Sequence, residues 1–187
     1  MRAFALATAA SLLSLVAAAN IMVSVGNNMT LTFDPPSVTA NTGDTVVFTF
    51  MSKNHSVTQS TFADPCQIMT TPMQGVSSGF QNVPAGAAQV PQYSFNVTNS
   101  SSPLWFFCAQ TSPVNHCAMG MVFAVNAPTS GNKTFQAFQT AAMATGNSTG
   151  NSTGNSTAPP PPSGALMTRA SGAGVLAAVG ALAGLLL

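Results

Sequence analysis

WFFCAQTSPVNHCAMGMVFAVN, residues 105–126, places Cys108, His116, Cys117, Met119 and Met121 in one loop between two apolar runs. The runs LWFFC (104–108) and MVFAV (121–125) read as strands buried on both faces, and they set the pattern for the rest of the chain. Upstream, IMVSV (21–25) and MTLTF (29–33) alternate apolar and polar residues, as half-buried strands do. TVVFTF (45–50) follows the turn signal NTGD, and YSFNV (93–97) looks fully buried. Short strands divided by Pro, Gly and Asn point to an all-β domain, a Greek-key β-sandwich over residues 20–128. Residues 67–92 read as a long loop with one helical turn. KTFQAFQTAAM (133–143) spaces Phe135, Phe138 and Ala142 along one face, so residues 129–144 are expected to supply a short helix packed on the domain.

Composition narrows the function classes. Only 4% of the 187 residues are charged and the net charge is +1, which provides no electrostatic footprint for nucleic acid or an anionic membrane surface. Residues 1–19 read as a secretory signal peptide, with Arg2, an apolar core and Ala17–Ala18–Ala19 before the cleavage point. At the other end, 164–187 has the form of a glycosylphosphatidylinositol attachment signal: small residues, a spacer and an apolar tail. Ser163 or Gly164 is the expected lipid-bearing residue, ahead of Ser171 and Gly172. Between domain and signal, residues 145–163 repeat GNST three times and then run into Pro159–Pro162, the composition of a disordered, glycosylated stalk. Asn28, Asn96, Asn99, Asn132, Asn147, Asn151 and Asn155 each begin an Asn-x-Ser/Thr triplet. Asn54 does too, but it stands beside His55, where a glycan would crowd a metal edge, and low occupancy is expected there. These features place the chain outside the cell, held at its surface or wall.

Three cysteines in a secreted domain leave one over after pairing. Two of the three possible pairings use Cys108; the third joins Cys66 to Cys117 and leaves Cys108 beside a histidine. A free thiol in an oxidising compartment is a hazard unless it is buried or bound to metal. A thiolate, two imidazoles and a weak thioether together suit copper in both of its oxidation states. His55 follows TVVFTF, whereas Cys108, His116 and Met121 come from one strand–loop–strand unit.

This arrangement resembles the cupredoxins, and within them the phytocyanins and the plastocyanin-like, lipid-anchored surface proteins of fungi. The resemblance runs from FDPPSVTANTGDTVVF through NHSVTQ to WFFCAQTSPVNHCAMGMVFAVN. It implies one copper ion held by His55, Cys108, His116 and Met121, with Cys66–Cys117 as a disulfide clamp beneath them. It also implies outer-sphere electron transfer through an exposed edge of His116 to an unknown redox partner, by a monomer that is no enzyme. Two features depart from the family pattern. Seven residues separate Cys108 from His116, a long loop that either bulges outward or loosens the site. Ser56 stands where the family often has an Asn that steadies the thiolate, and its hydroxyl is the expected replacement. Met119 and Trp105 read as packing residues, and Asp34, Asp44 and Asp64 as turn residues. Two other functions fit the same chain, a structural or adhesive wall glycoprotein and a copper buffer without redox turnover.

Overall fold

The computed structural model describes residues 17–146. The remainder of the signal peptide, the sequons at Asn147, Asn151 and Asn155, and the lipid-attachment candidates lie outside the described residues. Ten strands precede one helix: β1 (Asn20–Val25), β2 (Phe33–Asp34), β3 (Ser37–Val38), β4 (Thr45–Phe50), β5 (Lys53–His55), β6 (Thr58–Ser60), β7 (Gln81–Val83), β8 (Gln92–Asn96), β9 (Leu104–Phe107), β10 (Val122–Val125) and α1 (Phe135–Gly146).

They form two four-stranded sheets, β2-β1-β4-β8 and β3-β10-β9-β6, with β5 and β7 as a separate small pair. The β1–β4 and β3–β10 pairs are parallel, so the chain crosses between the sheets rather than running as a simple meander. The β-sandwich read from the sequence is therefore the fold. Its inner core is aromatic: Phe48 meets Phe123 edge-on at 5.1 Å, and Phe33, Phe95 and Phe106 pack around them. Phe33, Phe48, Phe106 and Phe123 are buried, and each contributes about 1.5–3 kcal/mol on leaving water, whereas Phe95 is half-buried.

Strands β9 and β10 are apolar on both faces because both faces are covered. Phe106, Cys108, Met121, Phe123 and Val125 belong to the inner core. Trp105, Phe107, Val122 and Ala124 turn the other way and pack with Phe135, Phe138 and Ala142 of α1. The Trp105 and Phe138 rings lie 4.7 Å apart. The helix thus starts two residues later than its sequence pattern and runs three further, with the expected face buried.

Four readings differ from the structure. MTLTF is mostly not strand: Asn27–Met29 forms a single 3-10 turn, with Asn28 and Met29 at positive φ, and pairing starts only at Phe33. Asn-Asn turn chemistry overrides the alternation there. YSFNV is an edge strand exposed on one side, not a fully buried one. The 67–92 stretch contains β7 and no helix among the described residues. The short strands β3, β5 and β6 are additions to the elements read from sequence.

Candidate metal centre

The β9–β10 ladder pairs Phe107 with Val122, and one rung further on the Cys108 N–H donates to the Met121 carbonyl at 3.1 Å. Side chains alternate along strands, so Cys108 points inward like Phe106, and Met121 like Phe123. Both are fully buried. His55 ends β5, and three residues later Thr58 pairs with Phe107, which brings the imidazole alongside Cys108. His116 is placed by its own loop: its N–H donates to the Gln110 carbonyl at 2.9 Å, and its carbonyl accepts from Met121 N–H at 2.9 Å.

Three donor atoms converge. His55 Nδ1 and His116 Nδ1 are 3.2 Å apart, Cys108 Sγ is 3.4 Å from His116 Nδ1, and it is 3.7 Å from His55 Nδ1. A point equidistant from all three lies about 2.0 Å from each, a metal–nitrogen bond length. Among the described residues this is the group of His, Cys and acidic side chains gathered closely enough to hold a metal. One soft thiolate and two imidazoles make a donor set of the blue-copper type, and the residues fit the ion. Met121 lies directly across the ladder from Cys108 and is fully buried beside it.

The electrostatics of the protein groups alone favour neutral side chains here. Burial pushes His55 down to about 4, with neighbouring His116 and then Lys53 adding to the effect. Burial, then Lys53, also lowers His116. Burial raises the Cys108 thiol, opposed by the N–H groups of Gln110 and Ser56 and by the Ser56 hydroxyl. The imidazole lone pairs are therefore available to a cation, and loading one releases the thiol proton.

Ser56 serves the site twice. Its N–H donates to Cys108 Sγ at 3.3 Å, while its hydroxyl accepts the Ala109 N–H at 2.8 Å. The replacement for the family's Asn is thus backbone and side chain together. The long 109–115 loop bulges outward: residues 111–115 are exposed, and Cys108 and His116 at either end remain buried. Cys66 and Cys117 form the disulfide, with S–S at 2.08 Å, and Cys108 is the free, buried thiol. The exposed His116 edge is a correction, since the residue keeps only 3% of its surface. Its ring is packed against His55 at 4.9 Å, under the closed loop. Met119 is 63% exposed and outside the cluster. Asn28, Asn96, Asn99 and Asn132 are exposed, whereas the Asn54 carbonyl oxygen is buried without a partner.

Gly26 escaped the sequence reading. It sits at φ +71 directly under His55, where a Cβ would overlap the ring at Nε2 and Cδ2. That nitrogen is buried and unpaired, and it carries the ring proton when Nδ1 turns its lone pair inward. A glycine ending a strand before Asn-Asn is the sole sequence hint, and it signals a turn rather than a ligand support.

Comparison with known proteins agrees with this architecture. No family model matches the chain. The protein named Probable GPI-anchored cupredoxin-1 of Arthroderma benhamiae is 33% identical over 140 residues, 75% of this chain and 68% of that protein. An Extracellular serine-rich protein of the same organism is 31% identical over 130 residues, 67% of this chain but 46% of its own length. Among solved structures, native pseudoazurin from Hyphomicrobium denitrificans is 24% identical with a TM-score of 0.39, over 57% of this chain and 73% of that one. A β-sandwich with a buried His–Cys–His cluster across one end defines the class, and the chain belongs to the cupredoxin family.

Proposed function

We propose that this protein is a cell-surface blue-copper protein that carries single electrons, with His55, Cys108, His116 and Met121 as the ligands of one copper ion. The observation that carries the reading is the convergence of two imidazole Nδ1 atoms on the Cys108 sulfur within a buried cage. Copper supplies a one-electron couple. The protein's part is to hold soft and hard donors in one fixed geometry, which limits rearrangement between oxidation states. Burial of all four side chains excludes water, and four protein donors leave no position for a substrate, which favours a carrier over a catalyst. With His116 nearly covered, electrons pass through the loop surface over the cage rather than through a projecting ring.

The domain plan follows from the same reading. Residues 1–19 are removed on secretion, 20–128 form the copper domain, and 129–144 brace it. Residues 145–163 are the glycosylated stalk, and lipid attachment at Ser163 or Gly164 releases 164–187. The GPI-anchored name of the A. benhamiae relative supports this plan. Glycans are assigned to Asn28, Asn96, Asn99, Asn132, Asn147, Asn151 and Asn155, with Asn54 left bare. The protein works as a monomer at the outer leaflet or wall, with a redox partner of unassigned identity.

The test is to add Cu(II) to the secreted protein and record its visible spectrum. Intense thiolate-to-copper absorption is expected, and Cys108→Ala should abolish it. A colourless protein that retains no copper sinks the reading and promotes the wall-glycoprotein alternative.

A further inference from the structure

We propose that α1 is an outer brace for the ligand loop, and that Gln139 is a positioning residue that sets Met121; the part concerning copper rests on the reading above. The peptide joining Gly120 to Met121 is held at both of its polar ends. Gln139 Nε2 donates to the Gly120 carbonyl at 3.0 Å, and the Met121 N–H donates to the His116 carbonyl at 2.9 Å. A peptide unit is planar, so fixing its C=O and N–H fixes its plane and the direction in which the Met121 side chain leaves the backbone. The Gly120 carbonyl also accepts the Val122 N–H at 2.9 Å, so the helix supplies one of three anchors on this peptide, the one that comes from outside the hairpin.

Other contacts place the helix firmly against the same segment. The Met143 side chain lies over Gly120, with Cγ and Sδ both 3.4 Å from the position of a Cβ there. Gly146 abuts Ala118 so closely that a Cβ would come within 2.9 Å of the alanine methyl. Thr145 Oγ1 is 3.4 Å from Cys66 Sγ, which ties the helix to the disulfide clamp. On its inner side the helix is seated by Phe135, Phe138 and Ala142 on the outer face of the β9–β10 sheet. The brace therefore has a rigid base, and Gln139 reaches from it to Gly120, the residue before Met121. A weak thioether ligand would tune a blue-copper centre, so the hydrogen bond would act on a bound copper through Met121.

Three variants of the secreted protein test this. Gln139→Met keeps the length and removes the donor, Gln139→Lys restores a donor, and Gln136→Met changes an exposed position on the same helix. In the copper-loaded protein, Gln139→Met is expected to alter the relative intensity of the thiolate absorption bands and the reduction potential, and to weaken copper retention about tenfold. Gln139→Lys should move these towards the parent, and Gln136→Met should match it. In the metal-free protein, amide exchange at Met121 should be several-fold faster in Gln139→Met. A folded Gln139→Met with parental spectrum, potential and exchange overturns the proposal. If the parent itself shows no thiolate absorption, the copper reading fails, and Met121 exchange alone decides whether α1 braces the loop.

Discussion

Cys108 and Met121 face one another on the last rung of the β9–β10 ladder, joined by the Cys108 N–H to Met121 carbonyl bond at 3.1 Å. The strongest and the weakest sulfur donors of the proposed set thus share one backbone hydrogen bond. Their spacing is set by the sheet, while His55 and His116 arrive from a separate strand pair and from the loop. The spacing of the donor atoms therefore depends on contacts that lock those other segments onto the ladder.

Gly26 is one such contact. Gly26→Ala adds a side chain at φ +71 and drives it into the His55 ring. It should cost about 1–3 kcal/mol in backbone strain and also reduce copper retention. Gly43→Ala, at φ +99 with nothing nearby, carries the strain without the collision. Chemical denaturation and copper competition on both variants separate the effects. Equal copper retention in the two would show that the glycine does not make room for the ring.

Ser56→Ala leaves the Ala109 N–H unpaired but keeps the backbone donor to Cys108. The expected loss is about 1–3 kcal/mol, measured by urea unfolding of the metal-free protein. Ser56→Thr, which retains the hydroxyl, should lose less. An unchanged midpoint in Ser56→Ala would remove the hydroxyl from the support of the site.

The Cys66–Cys117 disulfide closes a span of 51 residues. Replacing both with Ser should destabilise the domain by about 4 kcal/mol, the loop-entropy value for that length. Thermal unfolding of the metal-free double variant measures this. Stability equal to the parent's would mean that the clamp constrains little beyond what the sheets already fix.

Asp44 governs an acid-sensitive corner at the start of β4. The N–H groups of Ala19 and Asn41 donate to its carboxylate at 2.8 and 2.7 Å and hold its pKa below the usual range. A depressed folded pKa stabilises fully above the unfolded value of about 3.9, and the gain is lost as pH falls through the folded value. The parent should therefore exceed Asp44→Asn in melting temperature at pH 7, with the gap shrinking below about pH 4. A gap that persists undiminished at pH 2 would assign the effect to something other than the charge. In a chain cleaved after Ala19, Asn41 is the donor that stays.

The legible part of the molecule is the part in which chemistry-bearing residues are scarce. Two histidines and three cysteines in 187 residues leave few combinations, and the run from Cys108 to Met121 places three donors on one hairpin. The long apolar strands and the face of α1 were legible for the same reason: burial imposes a period. KNH, TQS and QNV carry no such period, since these short strands form only because a neighbour is present to pair with them. MTLTF mimics a strand until its Asn-Asn turn is taken into account. Gly26 and Gln139 have no local signature. Each acquires its role from a segment distant in the chain, one as the space beneath a ring and the other as a donor reaching across from a helix.

The double-sided burial of β9 has a genetic consequence. Gaining or losing one codon between Trp105 and Cys108 would bring these two side chains to the same face, because side chains alternate along a strand. Either Cys108 would then meet the helix or Trp105 the sandwich. A single added codon among the exposed residues 111–115 would leave both faces untouched. Length variation among natural relatives should accordingly collect in that loop and be absent from the strand before it.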